Sequence, residues 1–137
     1  MTIDRRSFVT GMSATAAAIL AGCSKSEIDR AVIQDLQTAF NGESNASAKY
    51  ALYGANAQEA GYISIAALFK AASFAEHIHA RQHAKVLKLY GSDATATIKD
   101  ATWVDIATAL KDAIKGETYE FTEMYPGFIK TAEDKKM

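Results

Sequence analysis

Ala72-Ser73-Phe74-Ala75-Glu76-His77-Ile78-His79-Ala80-Arg81-Gln82-His83-Ala84-Lys85-Val86 reads as the middle of a long helix. Around it Ile65, Phe69, Ala72, Val86 and Tyr90 recur at helical spacing, which strings them along one face. The run extends from Ile63 to Tyr90, and Gly91 stands where a helix stop belongs. At mid-length, where an apolar side chain is due, the stripe turns ionisable. Glu76 and His79 sit between Ala72 and Val86, three residues apart and therefore on the same face.

The same interruption recurs on both sides. A helix over 27–60 has a stripe of Ile28, Val32, Leu36, Phe40, Ser47, Tyr50 and Gly54, with Glu43 between Phe40 and Tyr50. Ser26, with Asp29 three residues on, gives an N-cap signal, and Gly61 is the stop. A third helix over 104–131 turns Ile106, Leu110, Ala113, Met124 and Phe128 inward, with Glu117 and Glu120 between Ala113 and Met124. Pro126 is expected to kink it. The polar stretch 91–102 is long enough to cross a bundle end. The first two helices span roughly 40–50 Å each at about 1.5 Å per residue, a bundle length. With no strand pattern, tandem repeat or Gly-rich phosphate loop, the fold class is all-α, an up-and-down helical bundle.

Burying an ionised carboxylate costs several kcal/mol unless it is paired or bound to metal. Glu43, Glu76, Glu117 and Glu120 fall on core-facing stripes, His79 joins them, and no Arg or Lys is assigned to those stripes. Four carboxylates and an imidazole without a counter-charge call for a multivalent cation. Oxygen and imidazole donors without thiolate suit iron or manganese, with zinc an alternative. Di-iron bundles are built this way, with a Glu from each of two helices and Glu-x-x-His from each of the other two. His77 is off the stripe and reads as solvated. His83 reads as a capping surface residue, with a place beside the ligands as the alternative. Tyr50 and Tyr125 are core aromatics or hydrogen-bond donors to the ligating carboxylates.

Composition agrees and excludes other classes. The 137 residues carry 15 Lys+Arg against 16 Asp+Glu and are 49% hydrophobic, which fits one folded domain rather than a disordered chain. Near-neutral charge without a basic block argues against nucleic acid as the partner. One Cys excludes an intramolecular disulfide and any Cys-x-x-Cys site. Residues 1–22 read as an export signal, with Arg5 and Arg6 before an uncharged, Ala-rich run too weakly apolar for a spanning helix. Asp4-Arg5-Arg6-Ser7-Phe8-Val9 resembles the twin-arginine motif, with Asp4 where Ser or Thr is usual. Leu20-Ala21-Gly22-Cys23 resembles a lipobox, which makes Cys23 the lipidation site and 23–137 the mature domain. The expected location is the bacterial periplasm, on a membrane through the lipid anchor.

Phe40-Asn41-Gly42-Glu43-Ser44, Tyr50 and Glu59-Ala60-Gly61-Tyr62 resemble the opening of rubrerythrin-type ferritin-like domains. Ile65-Ala66-x-x-Phe69, Glu76-x-x-His79-Ala80 and Gly116-Glu117-x-x-Glu120-Phe121-Thr122-Glu123-Met124-Tyr125-Pro126 continue the resemblance, which covers about 36–128. It implies di-iron ligands at Glu43, Glu76, His79, Glu117 and Glu120, and tyrosines near the metal at Tyr50 and Tyr125. Rubrerythrins are non-haem di-iron proteins that reduce hydrogen peroxide, and relatives oxidise ferrous iron. The family's fourth helix brings a second Glu-x-x-His. The chain has no His after His83 and continues a helical pattern up to Met137, so three long helices without the fourth are expected: either the bundle is truncated, or the second iron site is incomplete. Such a remnant exposes an apolar seam for a partner subunit, which points to a homo-oligomer. The rubredoxin-like iron–thiolate module is absent from this sequence as well, so an external electron donor is expected.

The expected function is an exported, lipid-anchored iron protein reducing hydrogen peroxide or oxidising ferrous iron, with Tyr50 and Tyr125 holding ligand geometry. The alternatives are a metal-binding or storage module without turnover, and a metal-free helical lipoprotein acting through protein contacts.

Overall fold

The computed structural model describes residues 29–136. Arg5, Arg6, the Leu20–Cys23 stretch and Ser26 lie outside them. Helix α1 spans Arg30–Glu59, α2 Ile63–Leu89 and α3 Ile106–Tyr119. A π-helical turn over Glu120–Met124 joins α3 to α4, Tyr125–Asp134, so the last three segments form one continuous rod. Among the described residues there is no strand, and the fold is the expected all-α bundle.

Local chemistry explains the ends. Asp29 caps α1 by accepting from the Ala31 N–H at 2.8 Å. Asp105 caps α3 through Thr108. Gly61 and Gly91 end α1 and α2 with φ of +82° and +78°, a left-handed geometry that glycine adopts without a steric penalty. The helical rod runs on through Pro126. The π turn precedes it, with the Tyr125 N–H bonded back to Glu120 O, and Pro126 falls in the first turn of α4, where a missing N–H costs little.

The buried face of α1 runs through Ala39, Glu43, Ala46, Tyr50, Tyr53 and Ala57, alternating steps of four and three. It is rotated slightly from the expected stripe, so Ala39 is buried while Phe40 is only half-buried. On α2 the buried face is Ala66, Phe69, Glu76, Ala80 and Leu87. Tyr50, Tyr53, Phe69 and Trp103 pack ring on ring at 5.4–6.5 Å between centroids. Ser47 and Ser73 then clip α1 to α2 reciprocally, each hydroxyl donating to the other's carbonyl at 2.9 and 2.8 Å. Ser47 lies one turn after Glu43 and Ser73 three residues before Glu76, so this clip sets the register of the two ionisable positions.

The α2–α3 connection does not cross a bundle end; it runs back alongside α1. Gln37, Asn41 and Asn45, spaced four apart, bond the backbone of Asp93, Thr95, Thr97 and Lys99, spaced two apart. Four helical residues rise about 6.0 Å and two extended residues about 6.6 Å, so side-chain amides on one helix face can track an extended chain like a neighbouring strand. The crossover starts α3 at the same end as α2. The rod then runs antiparallel to α1: Asp112 meets Tyr53, Glu117 meets Tyr50, Tyr125 meets Glu43 and Lys135 meets Asp29. One long crossover of this kind is the connectivity of ferritin-like bundles. Both α2 and α3 lean on α1, and among the described residues they make no close backbone approach to each other. The groove between them leaves Leu68 and Ile114 exposed, and Phe74, Ile78 and Phe121 are exposed as well.

Candidate metal centre

The interrupted stripes meet at one place. Glu43 is fully buried and Glu76 is 4% exposed, the two buried charged residues among those described. His79 Nδ1 lies 2.8 Å from Glu76 Oε2 and 3.9 Å from Glu43 Oε1. Glu43, Glu76 and His79 each offer one donor atom, all within 4.8 Å of one another, a spacing one cation can bridge.

The third rod supplies more carboxylates. Glu117 accepts from the Tyr50 hydroxyl at 2.6 Å. Glu120, half-buried, lines a cavity of about 460 Å³ with His79, His83, Glu117 and Tyr125. Glu117 and His79 are on the exposed side of the cluster, His79 with 54% of its side chain open. Tyr125 donates to Glu43 Oε1, while Glu43 Oε2 is buried with no hydrogen-bond partner. Both tyrosines face the carboxylates as hydrogen-bond donors, besides packing in the core.

Electrostatics show why the cluster wants a cation. Burial, then a hydrogen bond to Glu43 and the charge of that carboxylate, pushes the Glu76 carboxyl up to about 9. Burial, followed by the charges of Glu43 and Glu117, pushes Glu120 up to about 7. Burial and the adjacent carboxylates hold Tyr50 and Tyr125 in the phenol form, well above their ordinary value. Lys49, whose charge reaches Glu120, is already engaged: it pairs with Asp112 at 2.7 Å, which also accepts from Tyr53. A buried carboxylate oxygen without a partner, among acidic groups that hold protons for want of counter-charge, fits a metal ion with oxygen and imidazole donors.

A domain with these helices, this crossover and this Glu/His cluster can be set beside known proteins. The rubrerythrin family model matches residues 35–137. The chain belongs to the rubrerythrin family. Rubrerythrin-2 of Clostridium acetobutylicum is 39% identical over 99 residues, covering 71% of this chain and 53% of that protein. Nigerythrin of Nitratidesulfovibrio vulgaris is 34% identical over 103 residues, covering 74% and 51%, and the rubrerythrin of the same organism 31% over 101 residues, covering 74% and 53%. The chain therefore spans about half the length of these relatives. No solved structure matches it significantly. Rubrerythrins use a non-haem di-iron centre, and this domain presents a Glu/His group suited to hold metal.

One expectation fails in detail. His83, read as a surface capping residue, is 18% exposed in its side chain and turns inward, its Nε2 3.0 Å from the Tyr125 hydroxyl and 4.0 Å from Glu43 Oε1. The signal was present in the sequence, since His83 follows His79 by four residues and Glu76 by seven, on the same helical face. Asp35 was also missed. Two turns before Glu43, it has a buried Oδ2 without a partner and lines a cavity of about 190 Å³ with His83, Tyr125 and Phe128. His77 is exposed, as its place off the stripe requires.

Proposed function

We propose that this domain binds non-haem iron, in the di-iron manner of rubrerythrins, and reduces hydrogen peroxide. The observation that carries this reading is Glu43 Oε2, a buried carboxylate oxygen without a hydrogen-bond partner at the centre of a Glu/His cluster. Glu43, Glu76, His79, Glu117 and Glu120 would hold the metal. When bound, iron supplies the two electrons that cleave the O–O bond, two protons completing the conversion of peroxide to two waters.

The chain's own residues do the rest. Tyr50 orients Glu117 and Tyr125 orients Glu43, each by donating its phenol proton to a carboxylate. Glu76 and Glu120, with carboxyls raised to about 9 and about 7, hold protons near neutrality that cation binding displaces. The cavity bordered by His79, Glu117 and Glu120 gives a small polar oxidant a route to the cluster. An external donor would restore the electrons.

The exposure of His79 and Glu117 favours a second reading, a site that holds metal, or oxidises ferrous iron, without a peroxide cycle. Stopped-flow oxidation of the ferrous protein by hydrogen peroxide separates the two. Peroxide-dependent oxidation that a reductant reverses over repeated cycles supports the first, and single-turnover or absent oxidation supports the second.

The same proposal places the protein on the bacterial periplasmic side of a membrane, held by a lipid on Cys23. The Arg5-Arg6 start and Leu20–Cys23 support it, and loss of membrane association in Cys23→Ala tests it. The exposed apolar groove between α2 and α3 supports assembly with a second copy, which light scattering of the purified domain tests.

A further inference from the structure

His83 is linked to the cluster through Tyr125. At 4.0 Å its Nε2 is too far from Glu43 Oε1 for a hydrogen bond, but it lies 3.0 Å from the Tyr125 hydroxyl, which itself reaches Glu43 Oε1. A phenol has one proton. Since Tyr125 donates it to Glu43, the phenol oxygen can only accept from His83, whose Nε2 must carry a hydrogen. The bonds therefore run in one direction, from His83 to Tyr125 to Glu43. The two rings lie nearly parallel, 22° apart with centroids at 6.1 Å, and Phe128 meets the Tyr125 ring edge-on at 6.3 Å. The phenol is thus held at its ring and at its oxygen, and Glu43 Oε1 is occupied while Oε2 is left free.

We propose that His83 is a positioning residue of the metal centre: acting through Tyr125, it fixes the orientation of the Glu43 carboxylate toward a cation. This rests on the reading of the cluster as a metal centre. His83 is not itself a ligand in this arrangement, because the nitrogen nearest the cluster is spent on Tyr125. Groups that orient a metal's ligands from outside typically change affinity by about 10–100-fold when removed.

The test is a titration of the full metal-free chain with Co²⁺ alone, followed by visible absorption and calorimetry. Glutamine can place its amide nitrogen near the position of the imidazole Nε2, whereas asparagine falls short. His83→Asn is expected to weaken cobalt binding about tenfold or more, and His83→Gln to stay within about threefold of the unaltered chain. In a Tyr125→Phe background, His83→Asn should cause no further loss, because the link is already broken. Circular dichroism of the metal-free variants checks the fold; should His83→Asn lose helix, His83→Ser takes its place under the same criteria. The inference is overturned if His83→Asn binds cobalt normally, if His83→Gln loses as much as His83→Asn, or if the loss persists undiminished in Tyr125→Phe. Uptake of no cobalt by the unaltered chain overturns the metal reading, and this inference with it.

Discussion

The Tyr125 hydroxyl donates to Glu43 across 82 positions of sequence, and the carboxylate it holds has its other oxygen buried without a partner. That oxygen, close to the Glu76 carboxyl, is a ready donor to a cation.

Glu43→Gln should separate the metal-free and metal-bound states. It keeps the shape and removes the buried charge, so the metal-free protein is expected to be more stable, by on the order of 1 kcal/mol. The rise in melting temperature that iron gives the unaltered chain should vanish in the variant. Thermal unfolding with and without chelator measures both effects.

Glu76→Ala and His79→Ala each remove one donor from the group that lies within 4.8 Å. Each is expected to lower ferrous-iron affinity at least about tenfold, since the remaining donors hold the metal less well. Anaerobic calorimetry reads this directly. Substituting His77, which is exposed and off the buried face, should leave affinity unchanged.

Metal-free stability should fall as pH rises. Folded Glu76 keeps its proton up to about 9, whereas the unfolded chain releases it near the ordinary carboxyl value of 4.5. Between those values the folded state binds more protons than the unfolded one, so stability is fully present below about 4.5 and lost progressively toward 9. Glu120, raised to about 7, adds in the same direction over its lower part. Denaturant melts of the metal-free protein at pH 5, 7 and 9 are expected to show decreasing midpoints. Metal affinity should rise over the same range, because binding displaces those protons.

Three helices and the meeting of Glu43, Glu76 and His79 were legible in the sequence because helical period and mid-stripe charge are local signals. What escaped it depends on partners distant in sequence. Gln37, Asn41 and Asn45 look like an ordinary polar face until the extended chain at 93–99 is laid against them. The π turn at Glu120–Met124 leaves no simple mark in composition, and it directly precedes Pro126, where only a kink was expected. His83 shares the face of Glu76 and His79, but only Tyr125, 42 residues later, shows that it points inward.

The amide ladder has its own test. Asn45→Ala removes the partners of Thr97 O and the Lys99 N–H, and at about 0.5–1.5 kcal/mol per bond should destabilise the fold by about 1–3 kcal/mol. Hydrogen exchange should show the Lys99 amide losing protection while α1 and α2 keep theirs.

Anaerobic titration of the purified metal-free domain with ferrous iron, with protein-bound iron counted after desalting, tests the central claim most directly. At least one iron retained per chain, together with a melting temperature that rises with iron and falls with chelator, is the expected result. Less than one iron per chain, with a melting temperature indifferent to both, would contradict it.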